Sequence, residues 1–129
     1  MSPSNVDVVR AVVTAWNRGD FTAAGEMVTD DVEFDWSRRM LDGEVLRGRD
    51  ELRRFMQQTR EIFDEIHIPD EDMTDLGDNV VLLVGTARFK GHVSGMDVEA
   101  HAANLWTVRD GKVSHFCFYQ TKEDALADV

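Results

Sequence analysis

The sequence predicts one α+β domain in which three N-terminal helices pack inside a curved antiparallel sheet. Two observations predict this class. The first half shows helical periodicity interrupted by a single strand, whereas the second half consists of extended apolar runs separated by turn residues. A sheet that bends around helices forms a cone with an open mouth, so we expect an apolar pocket inside it. The length of 129 residues suits one domain spanning residues 1–129.

Composition and charge narrow the possible partners and location. Hydrophobic residues make up 43% and charged residues 30% of the chain, and both fractions are typical of globular proteins. The net charge of −11 argues against nucleic acids and anionic membranes as partners. No apolar run approaches the roughly 20 residues of a membrane-spanning helix, and the N-terminus lacks a signal-peptide pattern. The single Cys117 excludes an internal disulfide. We therefore expect a cytoplasmic protein.

The first helix is predicted over Asn5–Arg18, with Ser4 or Asn5 as its N-cap. Gly19 ends it. Its apolar positions recur at the i, i+3, i+4 and i+7 spacing of one helix face: Val9, Val12, Val13 and Trp16. This face is expected to pack against the sheet.

Three segments connect the first helix to the next long one. Asp20 caps a short second helix over Phe21–Val28, and a strand follows over Val32–Trp36. The irregular segment Ser37–Gly48 contains the pair Arg38-Arg39. These arginines either contact an anionic group at the mouth of the cone or form an ordinary solvated charge pair.

The third helix is predicted over Asp50–Ile66 and ends before Pro69. Asp50 and Glu51 lie favourably at the positive end of its dipole. Its apolar face consists of Leu52, Phe55, Met56, Thr59, Ile62, Phe63 and Ile66.

The remaining chain is predicted to form four antiparallel strands and a short helical tail over Glu123–Val129. The strands span Ile68–Leu76, Val80–Lys90, Asp97–Val108 and Lys112–Thr121. Glycine-containing turns separate the first three.

The last two strands form a hairpin for which two registers are possible. A two-residue loop with Asp110-Gly111 at its tip places Asn104 opposite Cys117. A three-residue loop with Gly111 in the left-handed conformation places Asn104 opposite Phe116 instead. We predict the second register, because Gly111 follows Asp110 as that bulged turn requires. A slip of one residue would send every side chain to the other face.

In the predicted register neither face of the hairpin is polar, so both faces must be covered. One face, expected to line the pocket, consists of Ala102, Asn104, Trp106, Phe116, Phe118 and Gln120. The other consists of His101, Leu105, Val113, His115, Cys117 and Tyr119. Because three helices cover only one side of the sheet, we expect the second face to form a symmetric homodimer.

Four motifs occur in an order and spacing that resemble one protein superfamily. They are AWNRGDF at residues 15–21, DDVEFDWS at 30–37, RGRDELRRF at 47–55 and LWTVRDGKV at 105–113. Over nearly its whole length the chain resembles the SnoaL-like group of the nuclear-transport-factor-2-like superfamily, which also includes ketosteroid isomerase. Members include isomerases, cyclases, epoxide hydrolases, dehydratases and proteins without a known reaction. The resemblance therefore implies the cone fold but not one activity.

Site residues follow from this resemblance position by position. Similarity to ketosteroid isomerase implies that Asp35 is the carboxylate that moves a proton next to a carbonyl, and that Asn104 is the oxyanion donor. The second donor position is Val12, which cannot donate. SnoaL-like cyclases and epoxide hydrolases place a carboxylate at the position of Phe118, which disfavours those two activities.

Each of these residues also has an ordinary structural interpretation. Phe34 and Trp36 are core residues by pattern, so strand alternation would point Asp35 away from the pocket. A buried Asn104 amide costs about 1–3 kcal/mol unless it is paired, either with a neighbour or with a ligand. The aromatic side chains are either core or pocket lining.

No metal or cofactor is expected. The four histidines, His67, His92, His101 and His115, form no i, i+4 pair and no HExxH motif. The sequence has no glycine-rich phosphate loop and no GxSxG motif.

Two functional classes remain. The first is a cofactor-free isomerase, cyclase or dehydratase with Asp35 as base and Asn104 as donor. The second is a non-catalytic binding or dimerisation module of the same fold. In both, the ligand is expected to be an apolar or polycyclic small molecule. The expected ligand-binding residues are Val12, Trp16, Trp36, Phe55, Phe63, Ala102, Trp106, Phe116, Phe118 and Gln120.

Overall fold

The computed structural model describes residues 4–36, 45–68, 72–91 and 97–129, with the side chains of residues 62–66, 97, 98, 100 and 102 excepted. The helices are α1 (Asn5–Arg18), α2 (Phe21–Glu26), α3 (Gly48–Ile62) and α4 (Lys122–Ala127). The strands are β1 (Val28–Asp35), β2 (Val45–Arg47), β3 (Phe63–His67), β4 (Met73–Gly77), β5 (Val80–Gly91), β6 (Asp97–Arg109) and β7 (Lys112–Tyr119).

The strands form one curved, open sheet in the order β2-β1-β7-β6-β5-β3, with β4 also paired to β5. The predicted α+β class, with helices packed against a curved sheet, is confirmed. One pairing departs from the antiparallel pattern, because β1 lies parallel to β7. These two strands are far apart in sequence, so no hairpin fixes their relative direction.

The segment after α3 differs from its prediction. The helix ends at Ile62 rather than Ile66, and residues 63–67 form β3. The strand predicted over Ile68–Leu76 corresponds only to β4, which begins at Met73, whereas β3 precedes the predicted strand. The two strands pair with opposite ends of the long strand β5. Apolar residues at positions 62, 63 and 66 suit a helix or a strand, and the hydrogen bonds offered by β5 decide between them.

The register of the last hairpin also differs from the prediction. Arg109 pairs with Lys112, so Asp110 and Gly111 form a two-residue turn in which both have positive φ angles, 54° and 77°. The pairing then shifts by one residue between Thr107 and Val108, which leaves Ser114 as an extra residue in β7. As a result Asn104 opposes Phe118 instead of Phe116.

The two-residue turn and the bulge each shift the pairing by one residue, which makes two residues in all. Because side chains alternate with a period of two, the residues beyond the bulge remain on the faces predicted for them. Trp106, Phe116 and Phe118 share one core cluster, and Leu105 and Cys117 belong to another. Val113 precedes the bulge and is the exception. It is packed with Val108 in the first cluster, not on the face predicted for it.

The larger core lies between the sheet and the helices α1 and α3, and we call the sheet face that packs there the inner face. α3 contributes Leu52 and Met56 to it. From α1 the buried residues are Val8, Val9, Val12, Val13, Ala15 and Trp16. The predicted apolar stripe of α1 is thereby confirmed.

The opposite face of the sheet, which we call the outer face, is covered in part by α4. Ala125 of this helix is fully buried against Leu105, Cys117 and Tyr119. The Tyr119 hydroxyl donates a hydrogen bond to the Asp128 carboxylate. The dimer prediction assumed that nothing within one chain covers this face, and α4 removes that assumption. Dimerisation itself stays a prediction.

The buried hydroxyl of Tyr119 and its hydrogen bond to Asp128, the C-cap of α4, should make the stability of the fold depend on pH. Burial, followed by the hydrogen bond to Asp128, raises the pKa of Tyr119 above its ordinary value of 10.0. The folded state therefore favours the protonated form of Tyr119. This preference stabilises the fold fully below about pH 10, and the stabilisation is lost at higher pH as the phenol deprotonates. We expect the urea midpoint to fall between about pH 8 and about pH 11, and to fall less in Tyr119→Phe. An identical fall in both proteins would contradict this assignment.

The turn between α1 and α2 requires glycine. Gly19 has a φ angle of +71°, and a Cβ atom there would lie 3.1 Å from the Arg60 guanidinium. We expect Gly19→Ala to lower the free energy of unfolding by about 1–2 kcal/mol, measured by urea titration. Gly25, within α2, has open space around it and serves as the control. Gly25→Ala should raise stability by about 0.5–1 kcal/mol. Equal effects at both sites would contradict the strain argument.

Candidate functional site

The larger core, between the inner face and the helices, contains a group of seven aromatic rings, which we call the aromatic cluster. Its members are Trp16, Phe34, Trp36, Phe55, Trp106, Phe116 and Phe118. Phe116 lies at its centre, with ring centroids 4.8 Å from Phe34, 5.0 Å from Trp36 and 4.7 Å from Trp106.

Strand register brings most of these rings together. Phe34 lies beside Phe116 in the parallel pair of β1 and β7, and their rings stack at an interplanar angle of 23°. Trp106 lies directly opposite Phe116 in the antiparallel pair of β6 and β7. Trp36, just beyond the end of β1, lies two residues after Phe34, and Phe118 lies two residues after Phe116; the ring centroids of Trp36 and Phe118 are 5.4 Å apart.

The helices supply the other side of the aromatic cluster. Phe55 of α3 has its centroid 6.3 Å from Trp16 of α1 and 5.5 Å from Trp36. Trp36 and Phe55 are half-buried, whereas Trp106 and Phe116 are each only 3% exposed. The cluster therefore reaches the surface at the end formed by Trp36 and Phe55.

Three polar atoms within the aromatic cluster have no hydrogen-bond partner. They are the buried indole nitrogens of Trp16, Trp36 and Trp106. An indole N–H can only donate, and leaving a buried donor unbonded costs about 1–3 kcal/mol. The cluster is thus rich in aromatic surface and short of hydrogen-bond acceptors.

Asn104 adds an amide to the inner face. Its pairing partners in the sheet are Leu83 and Phe118, both of which belong to the inner core. The side chain is 8% exposed, and it makes no hydrogen bond to another described residue. It can offer both a donor and an acceptor to a bound molecule.

Asp35 lies on the opposite side of the sheet. Its neighbours Phe34 and Trp36 both belong to the inner face, and its partner in β7 is Cys117 of the outer face. Strand alternation therefore directs the Asp35 side chain outward. The structure does not bring Asp35 and Asn104 together, so a substrate held on the inner face beside Asn104 would not meet this carboxylate. Their catalytic roles stay predictions.

The other predicted site residues fall into three groups. Those in or packed against the larger core are Val12, Trp16, Trp36, Phe55, Trp106, Phe116 and Phe118. Gln120 is exposed just beyond the end of β7. The side chains of Phe63 and Ala102 lie outside the described residues, as does the pair Arg38-Arg39. The prediction omitted Phe34, although its alternation with Trp36 was visible in the sequence.

Three of the four acidic residues of β1 form ion pairs with arginines outside the aromatic cluster. Arg49 lies 2.6 Å from Asp30 and also donates to the Val28 carbonyl. Arg109 pairs with Asp31 and lowers the pKa of that carboxyl. The carboxylates of both pairs are mostly exposed, so these pairs contribute little to stability, and neither places charge against the rings. Among the described residues, no cluster of histidine, cysteine or acidic side chains could hold a metal ion.

A surface cavity of about 400 Å³ lies at α1 and α2, apart from the aromatic cluster. Its lining mixes charged and small residues: Asp7, Arg10, Ala11, Thr14, Ala15, Arg18, Asp20, Ala23 and Met27. None of the predicted site residues lines it. No helix in the described part of the chain is long and apolar enough to cross a membrane.

A family model described as a SnoaL-like domain matches residues 9–116. Among curated proteins, none has significant sequence similarity to this chain.

Solved structures of similar fold cover almost the whole chain. A proposed SnoaL-like polyketide cyclase from Shewanella denitrificans is 15% identical, with a TM-score of 0.80 over 98% of this chain and 99% of its own. TerC, co-crystallised with polyporic acid, is 17% identical, with a TM-score of 0.77 over 96% and 95%. A hypothetical protein of ketosteroid isomerase-like fold from Catenulispora acidiphila, in complex with trimethylamine, is 19% identical, with a TM-score of 0.72 over 98% and 92%. At such identities these similarities establish the fold.

Proposed function

This chain belongs to the SnoaL-like domain family, and on that basis we propose that it binds a flat, apolar or polycyclic small molecule at the aromatic cluster of the inner face. The aromatic cluster is the observation on which the proposal rests. Its seven rings offer stacking and edge contacts to a planar ligand, and it reaches the surface at Trp36 and Phe55. The polyporic acid and trimethylamine bound by two proteins of the same fold support small-molecule binding.

Charge distribution favours binding over proton transfer. Within the described part of the chain, Thr29 and Asn104 are the only polar or charged residues that are buried, with 9% and 8% of their surface exposed. A general base must reach the proton that it removes, and Asp35 points to the outer face. The second candidate function, a cofactor-free isomerase, cyclase or dehydratase, is supported by Asn104, which could donate a hydrogen bond to a substrate carbonyl.

Intrinsic fluorescence tests the proposed binding site directly. The chain has three tryptophans, and all three belong to the aromatic cluster, so its tryptophan emission reports on this site alone. Titration with fluorene, a planar tricyclic hydrocarbon, should produce a saturable change in emission. An emission that stays unchanged up to the solubility limit of fluorene would contradict the proposal.

Replacing Asp35 separates the two candidate functions. Asp35→Asn keeps the side-chain shape and removes the charge on the outer face. We expect affinity for fluorene to change less than about twofold, because this side chain does not face the aromatic cluster. If a substrate is identified, a loss of turnover by about 10²–10⁴-fold in this variant would instead support the enzyme with Asp35 as its base.

We further propose a cytoplasmic homodimer that does not bind nucleic acid or membranes. The net charge of −11 argues against binding to nucleic acids or anionic membranes, and the single cysteine suits a cytoplasmic location. Leu76, Val80 and Val84 lie at the outer core and are only partly buried, which leaves apolar surface for a second copy. Sedimentation at micromolar concentration should show a species of twice 14.6 kDa, and a monomer alone would contradict the dimer.

A further inference from the structure

We infer that the surface cavity at α1 and α2 is a second binding site, which takes a small carboxylate with a short apolar chain. This site goes beyond the proposed function, because its ligand differs in chemistry and α1 separates it from the aromatic cluster. Trp16 lies on the buried face of that helix, whereas the cavity opens on the other face. The cavity of about 400 Å³ combines hydrogen-bond donors with an apolar floor.

Three donor side chains lie along one face of α1. Arg10, Thr14 and Arg18 follow one another at intervals of four residues, and all three line the surface cavity. Four residues of an α-helix rise about 6 Å, so the two guanidinium groups can extend from either side and meet at one anion above Thr14. A guanidinium group can donate two parallel hydrogen bonds to a carboxylate. The middle of the cavity therefore suits a negatively charged group.

These donors have few partners within the chain. The side chains of Thr14 and Arg18 make no hydrogen bond or ion pair with another described residue. Arg10 lies 3.7 Å from Asp7, and the two side chains are 44% and 61% exposed. An ion pair so long and so exposed contributes little to stability. A ligand can thus bind both arginines without breaking a strong interaction.

The apolar floor of the surface cavity comes from α1 and from α2 with its C-cap. Ala11 and Ala15 line it from the first helix, and Ala23 and Met27 line it from the second. Ala15 is buried in the larger core, and Ala23 and Met27 pack against that core, so the floor is held in place. Such a surface suits a short hydrocarbon chain.

Two carboxylates limit the charge that the ligand can carry. Asp7 precedes Arg10 in the sequence and Asp20 follows Arg18, and both line the surface cavity. Asp20 also caps α2 by accepting a hydrogen bond from the Ala23 amide at 3.1 Å. These two carboxylates and the net charge of −11 repel each additional negative charge on a ligand. A singly charged carboxylate therefore fits better than a doubly charged phosphate.

Three probes test the ligand class. Hexanoate and hexanamide have the same length and nearly the same shape, but only hexanoate is charged at neutral pH. We expect hexanoate to cause saturable shifts of the backbone amide signals of Thr14, Arg18 and Ala23 in ¹H–¹⁵N spectra. Hexanamide should bind at least about 10-fold more weakly, because it lacks the charge. Acetate should also bind at least about 10-fold more weakly, because it lacks the chain.

Single variants locate the site. Arg10→Gln and Arg18→Gln each remove one guanidinium group and should weaken hexanoate binding about 3- to 10-fold. Arg53→Gln is the matched control, because Arg53 is an exposed arginine on α3 that does not line the surface cavity. This variant should bind hexanoate within about twofold of the original affinity. Losses in both cavity variants with the control unchanged would support the site.

Four results would overturn the inference. Equal binding of hexanoate and hexanamide would exclude a role for the arginines. Equal losses of affinity in Arg18→Gln and Arg53→Gln would indicate general attraction to positive charge. Shifts at the tryptophan indole signals instead of the α1 amides would place hexanoate in the aromatic cluster. The fourth result is an absence of shifts up to about 50 mM hexanoate, well above the millimolar range expected of so small a ligand.

Discussion

Phe116→Ala should lower the free energy of unfolding by about 3–5 kcal/mol, the largest effect expected of any single change in this chain. Phe116 is 3% exposed and contacts Phe34, Trp36 and Trp106 within 5.0 Å between ring centroids. Its removal would leave a cavity where the helices meet the sheet, and three rings would each lose an aromatic neighbour. Urea unfolding followed by far-ultraviolet circular dichroism gives the difference.

Leu126→Ala is the control for this measurement. Leu126 lies on α4 and is 43% exposed, so its truncation should change stability by no more than about 0.5 kcal/mol. A loss below about 1 kcal/mol in Phe116→Ala would mean that the aromatic cluster does not form the centre of the core.

Trp36→Ala should weaken the binding of planar aromatic probes about 30-fold or more while costing less stability than Phe116→Ala. Buried aromatic anchors at binding sites commonly contribute 2 kcal/mol or more, which corresponds to about this factor. Trp36 packs on Phe55, Phe116 and Phe118 but remains half-buried, so a ligand can reach it. Affinity for fluorene, measured by calorimetry, provides the comparison.

Phe21→Ala is the matched control for Trp36→Ala. Phe21 is also a half-buried aromatic residue packed against the inner core, yet it belongs to α2 and not to the aromatic cluster. Its truncation should leave affinity for fluorene within about twofold of the original value. Equal losses of affinity in the two variants would indicate general destabilisation and would contradict a role for Trp36 in binding.

Local patterns in the sequence predicted the elements well, and long-range pairing explains the differences. The apolar spacing of α1 fixed its bounds, and its cap and terminating glycine are where they were expected. The direction of β1 against β7, and the pairing of β3 and β4 with one strand, depend on contacts between distant segments. No property of those strands taken alone determines such contacts.

The hairpin shows how errors in register can leave a face prediction correct. The two-residue turn displaced the pairing by one residue, and the bulge at Ser114 displaced it by one more. Because side chains alternate with a period of two, Asn104, Phe116 and Phe118 stayed on their predicted face, whereas Val113 before the bulge did not. Only the turn had a signal in the sequence, in Asp110-Gly111.

For Asp35, alternation and family resemblance gave opposite predictions. The resemblance implied a base facing the pocket, whereas the core residues Phe34 and Trp36 on either side implied an outward side chain. The observed pairing of Asp35 with Cys117 agrees with alternation. A family resemblance identifies which position of the chain corresponds to a catalytic residue. The face of the sheet to which that side chain points depends on the packing around it. The three unpartnered indole nitrogens could not be predicted, because they depend on the detailed packing of the rings.

A crystal structure of the complex with fluorene tests the central claim most directly. We expect density for fluorene at the aromatic cluster, in contact with Trp36 and Phe116. Density for the probe in the surface cavity at α1 and α2, or on the outer face beside Cys117 with the aromatic cluster unchanged, would contradict it.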